Sequence, residues 1–353
     1  MLMLTDNERL ILNELAVAAT PLSKRDITQR CGMGWATAVK LMTRMEEQGV
    51  IVSSGNERQN QAGKSAMVYA LSSTKPAAVG IDVEYSRARV NIRNLSRECL
   101  FESELSTPQF KNVADLTAFL ERLLRQAAQK AAKLGITLEG GGVGVPSHLF
   151  GREGVPFAGI AKDLAARVGM PITVDNNIRC FTAAIASLPA APSSLLVVTI
   201  RSGIGVGIVM DGRIYQGERG CSGEIGHFPV ERNGVLCRCG KTGCLETVVN
   251  RETLAAELAA ATDGDKVSQK KVKAAAELLG RAVATMMLVL DIRHVAIYAE
   301  LGEAGQQLLV PIRETIEKTV NPGFDCDVRY ETLDAEAYVA GAARLVLDEF
   351  VRR

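Results

Sequence analysis

The chain has 353 residues, 47% apolar and 23% charged, with 41 Lys and Arg against 40 Asp and Glu, so its net charge is +1. That length holds two or three domains of usual size, and the balanced charge excludes a protein coated in nucleic acid while leaving room for a small DNA-reading module with local charge. No apolar run approaches the ~20 residues of a membrane span, the N-terminus lacks a signal-peptide pattern, and eight cysteines, four of them clustered, fit a reducing cytoplasm better than a disulfide framework.

Residues 5–19 read as a helix. Thr5 caps it with Glu8 three residues on, Leu12, Leu15, Ala16 and Ala19 share a face, and Pro21 ends it. Ser23 caps a short second helix, KRDITQR, and a third runs from about Gly34 to Gln48 with Ala38, Leu41, Met42 and Met45 inward. This order is that of a helix-turn-helix. Val50 to Val52 and Ala66 to Leu71, separated by a polar stretch, form a hairpin, the wing of a winged helix. Such a module lays its third helix in the major groove. Trp35, Thr37, Lys40 and Arg44 on that helix, with Arg58 and Lys64 on the wing, are the expected DNA contacts.

Ser72 to Pro76 is a short polar linker. Strand-like runs follow at 78–83, 87–95 and 98–105, then an amphipathic helix over 113–133, a glycine-led strand at 141–146, a helix near 161–168, a strand at 172–174 and a helix near 178–187. A second half opens with strands at 194–200, 203–210 and 213–217, and ends with long helices after residue 251, a strand at 295–298 and a final helix from Ala335. Strands alternating with helices, each half opened by a β-meander, predict two α/β lobes. The expected domains are 1–72, 77–187 with the terminal helix 335–353, and 188–334.

Within the last of these, His227, Cys237, Cys239 and Cys244 follow the pattern H-x9-C-x-C-x4-C. One imidazole and three thiolates make the closed tetrahedral shell of one structural Zn²⁺ per chain. Glu224 and Glu246 and five glycines are interleaved with these ligands. His148 and His294, and Cys31, Cys99, Cys180 and Cys326, stand outside any such cluster.

The stretch from Cys221 to Glu246 resembles the zinc-binding signature of the ROK family, which contains sugar kinases and sugar-responsive transcriptional repressors. The resemblance covers residues 77–353 and implies the two-lobed actin-like ATPase (ribonuclease H-like) fold. The repressors are similar to this chain in carrying an N-terminal winged helix, which the kinases lack. Three positions bear on kinase chemistry. Where the family's phosphate hairpin reads D-x-G-x-T, Asp82 to Ser86 places Glu84 at the glycine, adding negative charge where phosphates would lie. Where it has Asn-Asp, with the aspartate as general base, this chain has Asn176-Asn177, and an amide cannot take up a proton at neutral pH. Where it has Gly-Gly after the late strand, this chain has Ala299-Glu300; the second phosphate loop, Ser202-Gly203-Ile204-Gly205, is partly retained.

By the same resemblance the sugar hydroxyls would meet Asn176, Asn177, Glu224, His227 and Glu246. Carboxylates and amides suit a polyol, since they accept from or bridge paired hydroxyls. The expected function is therefore a non-enzymatic regulator, a repressor of sugar-metabolism genes that binds a palindromic operator as a homodimer or homotetramer and senses a sugar or sugar derivative in the body of the chain. The alternative is an ATP-dependent sugar kinase with an N-terminal appendage.

Overall fold

The computed structural model describes residues 4–18, 20–57, 66–147, 149–150, 155–188, 190–218, 220–332 and 336–352. Arg58, Lys64, His148 and Ala335 lie outside them. The chain folds as two compact units, one of Met1–Val143, Phe157–Asp175 and Ala342–Arg353, the other of Gly144–Pro156 and Asn176–Gly341.

The first unit opens with α1 (Asp6–Val17), β1 (Leu22–Ser23), α2 (Lys24–Arg30), α3 (Trp35–Glu47), β2 (Ile51–Glu57) and β3 (Ala66–Leu71). Two capping boxes start α1 and α2. Thr5 and Ser23 each accept from the backbone of the third helical residue, whose side chain, Glu8 or Asp26, returns the bond to the cap's N–H; this satisfies donors that a helix start would otherwise strand. Two-residue β1, unexpected from sequence, adds to the hairpin and completes an antiparallel sheet in the order β1-β3-β2.

The same unit continues into a sheet of order β6-β5-β4-β7-β8. It comprises β4 (Ala77–Val83), β5 (Arg87–Asn94), β6 (Cys99–Ser106), β7 (Leu138–Val145) and β8 (Ile172–Asn176), with α4 (Val113–Lys133) and α5 (Phe157–Val168) beside it. The stretch expected to be a linker is fastened down: Ser72 N–H bonds Val50 O at 2.9 Å, Asn94 Nδ2 bonds Ser73 O at 3.1 Å and Leu95 N–H bonds Pro76 O at 3.2 Å. The core follows suit. Ile11, Leu12, Ile27, Met42 and Tyr69 form one apolar cluster with Ala78 and Leu95 and with Ala343, Val346, Leu347 and Phe350, the last four on α10 (Glu336–Arg352).

The second unit holds a mixed sheet of order β11-β10-β9-β12-β13. Its strands are β9 (Leu195–Ile200), β10 (Ile204–Met210), β11 (Arg213–Ile214), β12 (His294–Ala299) and β13 (Asp327–Thr332), the last not expected from sequence. β9 and β10 are antiparallel, whereas β12 runs parallel to both β9 and β13. A helical layer of α7 (Arg251–Thr262), α8 (Lys266–Leu290) and α9 (Leu309–Thr319) buries Leu258, Val272, Leu279, Val283 and Ile312 in one cluster with Val198, Val206 and Ile297 of the sheet. The remaining helix, α6 (Asn177–Ala186), packs on β10, where Gly205 and Gly207 leave room for it. A Cβ at either glycine would collide with Ile178 or Thr182. Gly205, the last residue of the expected second phosphate loop, is thus also where α6 packs closely on β10.

Candidate functional site

Two glycines shape the loop that follows β11. Gly223 adopts φ +79° and sits against the carbonyl oxygen of Val206, where any Cβ would collide, and Val206 N–H bonds Gly223 O at 2.9 Å. Only glycine meets both demands. This pins the chain along β10 and starts the 3-10 turn Ile225–His227 with Glu224 at its cap. Farther on, Gly243 at φ +70° fits against the Glu231 carbonyl in the same way. Bridges between Pro229 and Cys244 and between Leu236 and Thr242 close the loop. A second 3-10 turn, Leu245–Thr247, then delivers Glu246 two residues after Cys244.

These turns gather the four expected ligands. One donor atom from each of His227, Cys237, Cys239 and Cys244 lies within 4.8 Å of all the others, and the three cysteines are buried. Cys239 Sγ is 3.7 Å from Cys244 Sγ, and Cys237 Sγ is 3.5 Å from His227 Nδ1. A tetrahedral ion with bonds of about 2.3 Å to sulfur and about 2.0 Å to nitrogen sets sulfurs about 3.8 Å apart and sulfur about 3.5 Å from nitrogen. The donor set fits a metal ion. Burial, aided by Glu246, pushes the Cys237 thiol well above its ordinary range, and burial with Cys239 raises Cys244. At Cys239 burial pushes upward too, but the Lys241 N–H and the neighbouring thiols outweigh it and lower the group. An ion arriving here must displace protons, as thiolate sites require.

The expected effector residues adjoin this cluster within the second unit. Glu246 Oε1 accepts from the Cys237 thiol at 2.7 Å and lies 3.5 Å from His227 Nδ1. His227 Nε2 is 3.6 Å from Glu224 Oε2, and Glu224 Oε1 accepts from Asn176 Nδ2 at 3.4 Å. Asn176 also caps α6, its Oδ1 accepting from Ile178 N–H at 2.7 Å, and donates to Ser147 Oγ. A run of polar contacts thus leads from Asn176 through Glu224 and His227 to Glu246, with Asn177 as the first residue of α6. Sequence reasoning missed Ser147, which no spacing rule connects to Asn176. It also missed buried Arg179, whose Nη1 donates to Gly220 O at 2.6 Å and so ties α6 to the loop before Glu224.

The two glutamates that stand at glycine positions of the kinase pattern are each neutralised. Buried Glu84 accepts from Arg87 Nε at 2.8 Å and lies 3.5 Å from Arg89 Nη1. Glu300 pairs with Arg201 at 3.3 Å and with Arg251, and the Arg201 guanidinium stacks 3.7 Å above the Tyr338 ring.

On α3, Trp35 is 57% exposed and Thr37 and Lys40 are exposed as expected. Arg44 is exposed as well, and it carries a pairing that the sequence did not reveal: its Nε donates to Glu8 Oε1 at 2.7 Å and its Nη2 donates to Glu8 Oε2, a buried carboxylate of α1.

No helix among the described residues is long and apolar enough to cross a membrane. A xylose repressor of Caldicellulosiruptor bescii is 21% identical over 96% of both chains. A glucokinase of Halalkalibacterium halodurans is 28% identical over 76% of this chain and 94% of its own. Among solved structures, a ROK family transcriptional regulator homologous to the E. coli MLC protein superposes with a TM-score of 0.77 at 19% identity, covering 98% of both chains. A ROK hexokinase structure from Thermus thermophilus superposes with a TM-score of 0.63 at 24% identity over 77% of this chain and 98% of its own, so the body has the two-lobed sugar-kinase-type fold, and the ROK family profile matches residues 78–349: the chain belongs to the ROK family.

Proposed function

We propose that this chain is a DNA-binding transcriptional regulator, a repressor of sugar-metabolism genes, and not an enzyme. The observation that carries this reading is the extent of the likeness. The repressor and the regulator structure match the chain nearly end to end, whereas the glucokinase matches 76% of it. The remainder accommodates the N-terminal set of three helices and three strands, which we read as a winged helix-turn-helix with α3 as its recognition helix. Trp35, Thr37 and Lys40 stand ready for base edges and phosphates, and the hairpin of β2 and β3 forms the wing. A repressor of this kind acts on a palindromic operator as a dimer or tetramer, since paired half-sites require a two-fold assembly.

The body supplies the sensor. We read Asn176, Asn177, Glu224, His227 and Glu246 as the groups that hold a sugar or sugar derivative. Their carboxylates and amides offer several acceptors and donors for neighbouring hydroxyls. His227, Cys237, Cys239 and Cys244 would hold one zinc ion, which as a closed four-ligand site would act structurally. With Nδ1 on the thiol side and Nε2 toward Glu224, the imidazole joins the metal shell to the effector wall. Phosphoryl transfer lacks its parts: Asn177 cannot act as a base, and the Glu84 and Glu300 carboxylates, with their arginine partners, fill positions that are glycine in the kinases.

The test pairs two assays on the full chain. In a selection from a random-sequence duplex library, the protein should enrich a two-fold symmetric sequence whose retention falls with salt. Incubation with ATP and a panel of hexoses, N-acetylhexosamines and pentoses should yield no phosphosugar. Saturable phosphorylation that is lost on Asp175→Asn would overturn the reading.

A further inference from the structure

Glu8 lies in the first turn of α1 and is fully buried, at 0% exposure. A carboxylate withdrawn from water this completely must be paired and hydrogen-bonded. Its oxygens accept from Thr5 N and Thr5 Oγ1, both at 2.8 Å, and from Nε and Nη2 of Arg44. The arginine fork meets both oxygens, the arrangement that adds direction as well as energy to a charge pair. One side chain therefore closes the capping box of α1 and grips α3 from 36 residues away in sequence.

Other restraints on α3 are less directional. Ala38, Met42 and Met45 are buried and set which face of α3 turns inward, while apolar contacts carry no directional bond of their own. Gly34 at the N-cap makes no side-chain cap bond. Arg44 stands one turn beyond Lys40, so holding its guanidinium against α1 fixes the direction in which Trp35, Thr37 and Lys40 project.

Resting on the regulator reading above, we propose that Arg44 and Glu8 are positioning residues for sequence recognition by α3, setting the roll of the helix without themselves reading DNA. Glu8→Gln makes a prediction of opposite sign to that of a plain DNA contact, and Arg44→Lys tests whether the fork is needed at all. Arg44→Lys keeps the positive charge and loses the fork. Glu8→Gln removes a negative charge from the DNA-binding module, which by electrostatics alone would strengthen binding to any duplex.

The experiment uses the full chain, a duplex that the wild type selects from a random library, and a scrambled duplex of the same composition, each followed by fluorescence anisotropy. Positioning predicts that both variants lose roughly tenfold or more of their affinity for the selected duplex while binding the scrambled one as before. A generalised loss of stability would lower both affinities together, so the ratio is the diagnostic readout. The inference is overturned if Arg44→Lys keeps the wild-type ratio, or if Glu8→Gln tightens both duplexes equally. Circular dichroism sets a temperature at which the variants are folded. Should Arg44→Lys fail to fold, Glu8→Gln, which keeps an acceptor for Arg44, decides the matter alone. A wild type that enriches no duplex removes the regulator reading itself; a wild type that enriches one, with both variants keeping its preference, removes only the positioning role.

Discussion

Glu246 and Glu224 both adjoin His227, yet they touch different chemistry. Glu246 accepts from the Cys237 thiol, so changing it disturbs the proposed metal shell and the effector wall together. Glu224 instead faces His227 Nε2, on the side of the ring away from that thiol, and accepts from Asn176. Glu224→Gln should therefore weaken sugar binding by roughly 1–3 kcal/mol, the cost of unmet hydrogen bonds, and leave the metal content at about one equivalent per chain. Cys239→Ser should remove the metal. Calorimetry against a panel of sugars, with metal analysis of the same samples, checks both; a Glu224→Gln protein that loses its metal would show that the two functions are not separable.

Strands β12 and β13 begin side by side, with His294 and Asp327 as partners in the parallel register. Hydrogen bonds from Arg329 and then His294 hold the Asp327 carboxyl down at about 2, against an ordinary 3.8. A carboxylate depressed by folding stabilises the native state above its unfolded value, and that contribution is lost as pH falls through the folded value. Thermal melting should thus show a loss of stability between about pH 4 and about pH 2 that shrinks in Asp327→Asn. An unchanged acid limb in the variant would mean that the pair does not tie these strands together. The element scale also shows what the sequence made legible. Capping boxes at Thr5 and Ser23, the amphipathic period of α4 and the spacing of the metal ligands are local patterns, written within a few turns of chain. The pairing of Glu8 with Arg44, of Glu300 with Arg201 and Arg251, and of Asn176 with Ser147 depends on distant segments meeting, and no local period records it. Strands β1 and β13 escaped for a related reason. The first has two residues, and the second alternates buried Val328 and Tyr330 with charged neighbours that read equally well as loop.

At the scale of the molecule, the apolar core of the N-terminal module is not self-contained. Val346, Leu347 and Phe350 of α10 belong to the cluster that holds Ile11, Ile27, Met42 and Met45. Phe350→Ala should cost about 3–5 kcal/mol, as for other buried aromatics, and that cost should fall on the module. We expect faster proteolysis within the first 71 residues and weaker DNA binding, with metal content unchanged. A variant whose cleavage sites all lie in the second unit would refute the shared core.

That shared core orders events during synthesis. The first 71 residues carry their own capping boxes and turns, but the side chains at 346, 347 and 350 that complete their interior are translated nearly three hundred residues later. Until then part of the apolar face of the nascent module has no partner on its own chain. The module that we read as operator-binding is thus translated ahead of the side chains that complete its core, and a chain truncated before α10 should leave part of that module's apolar face uncovered.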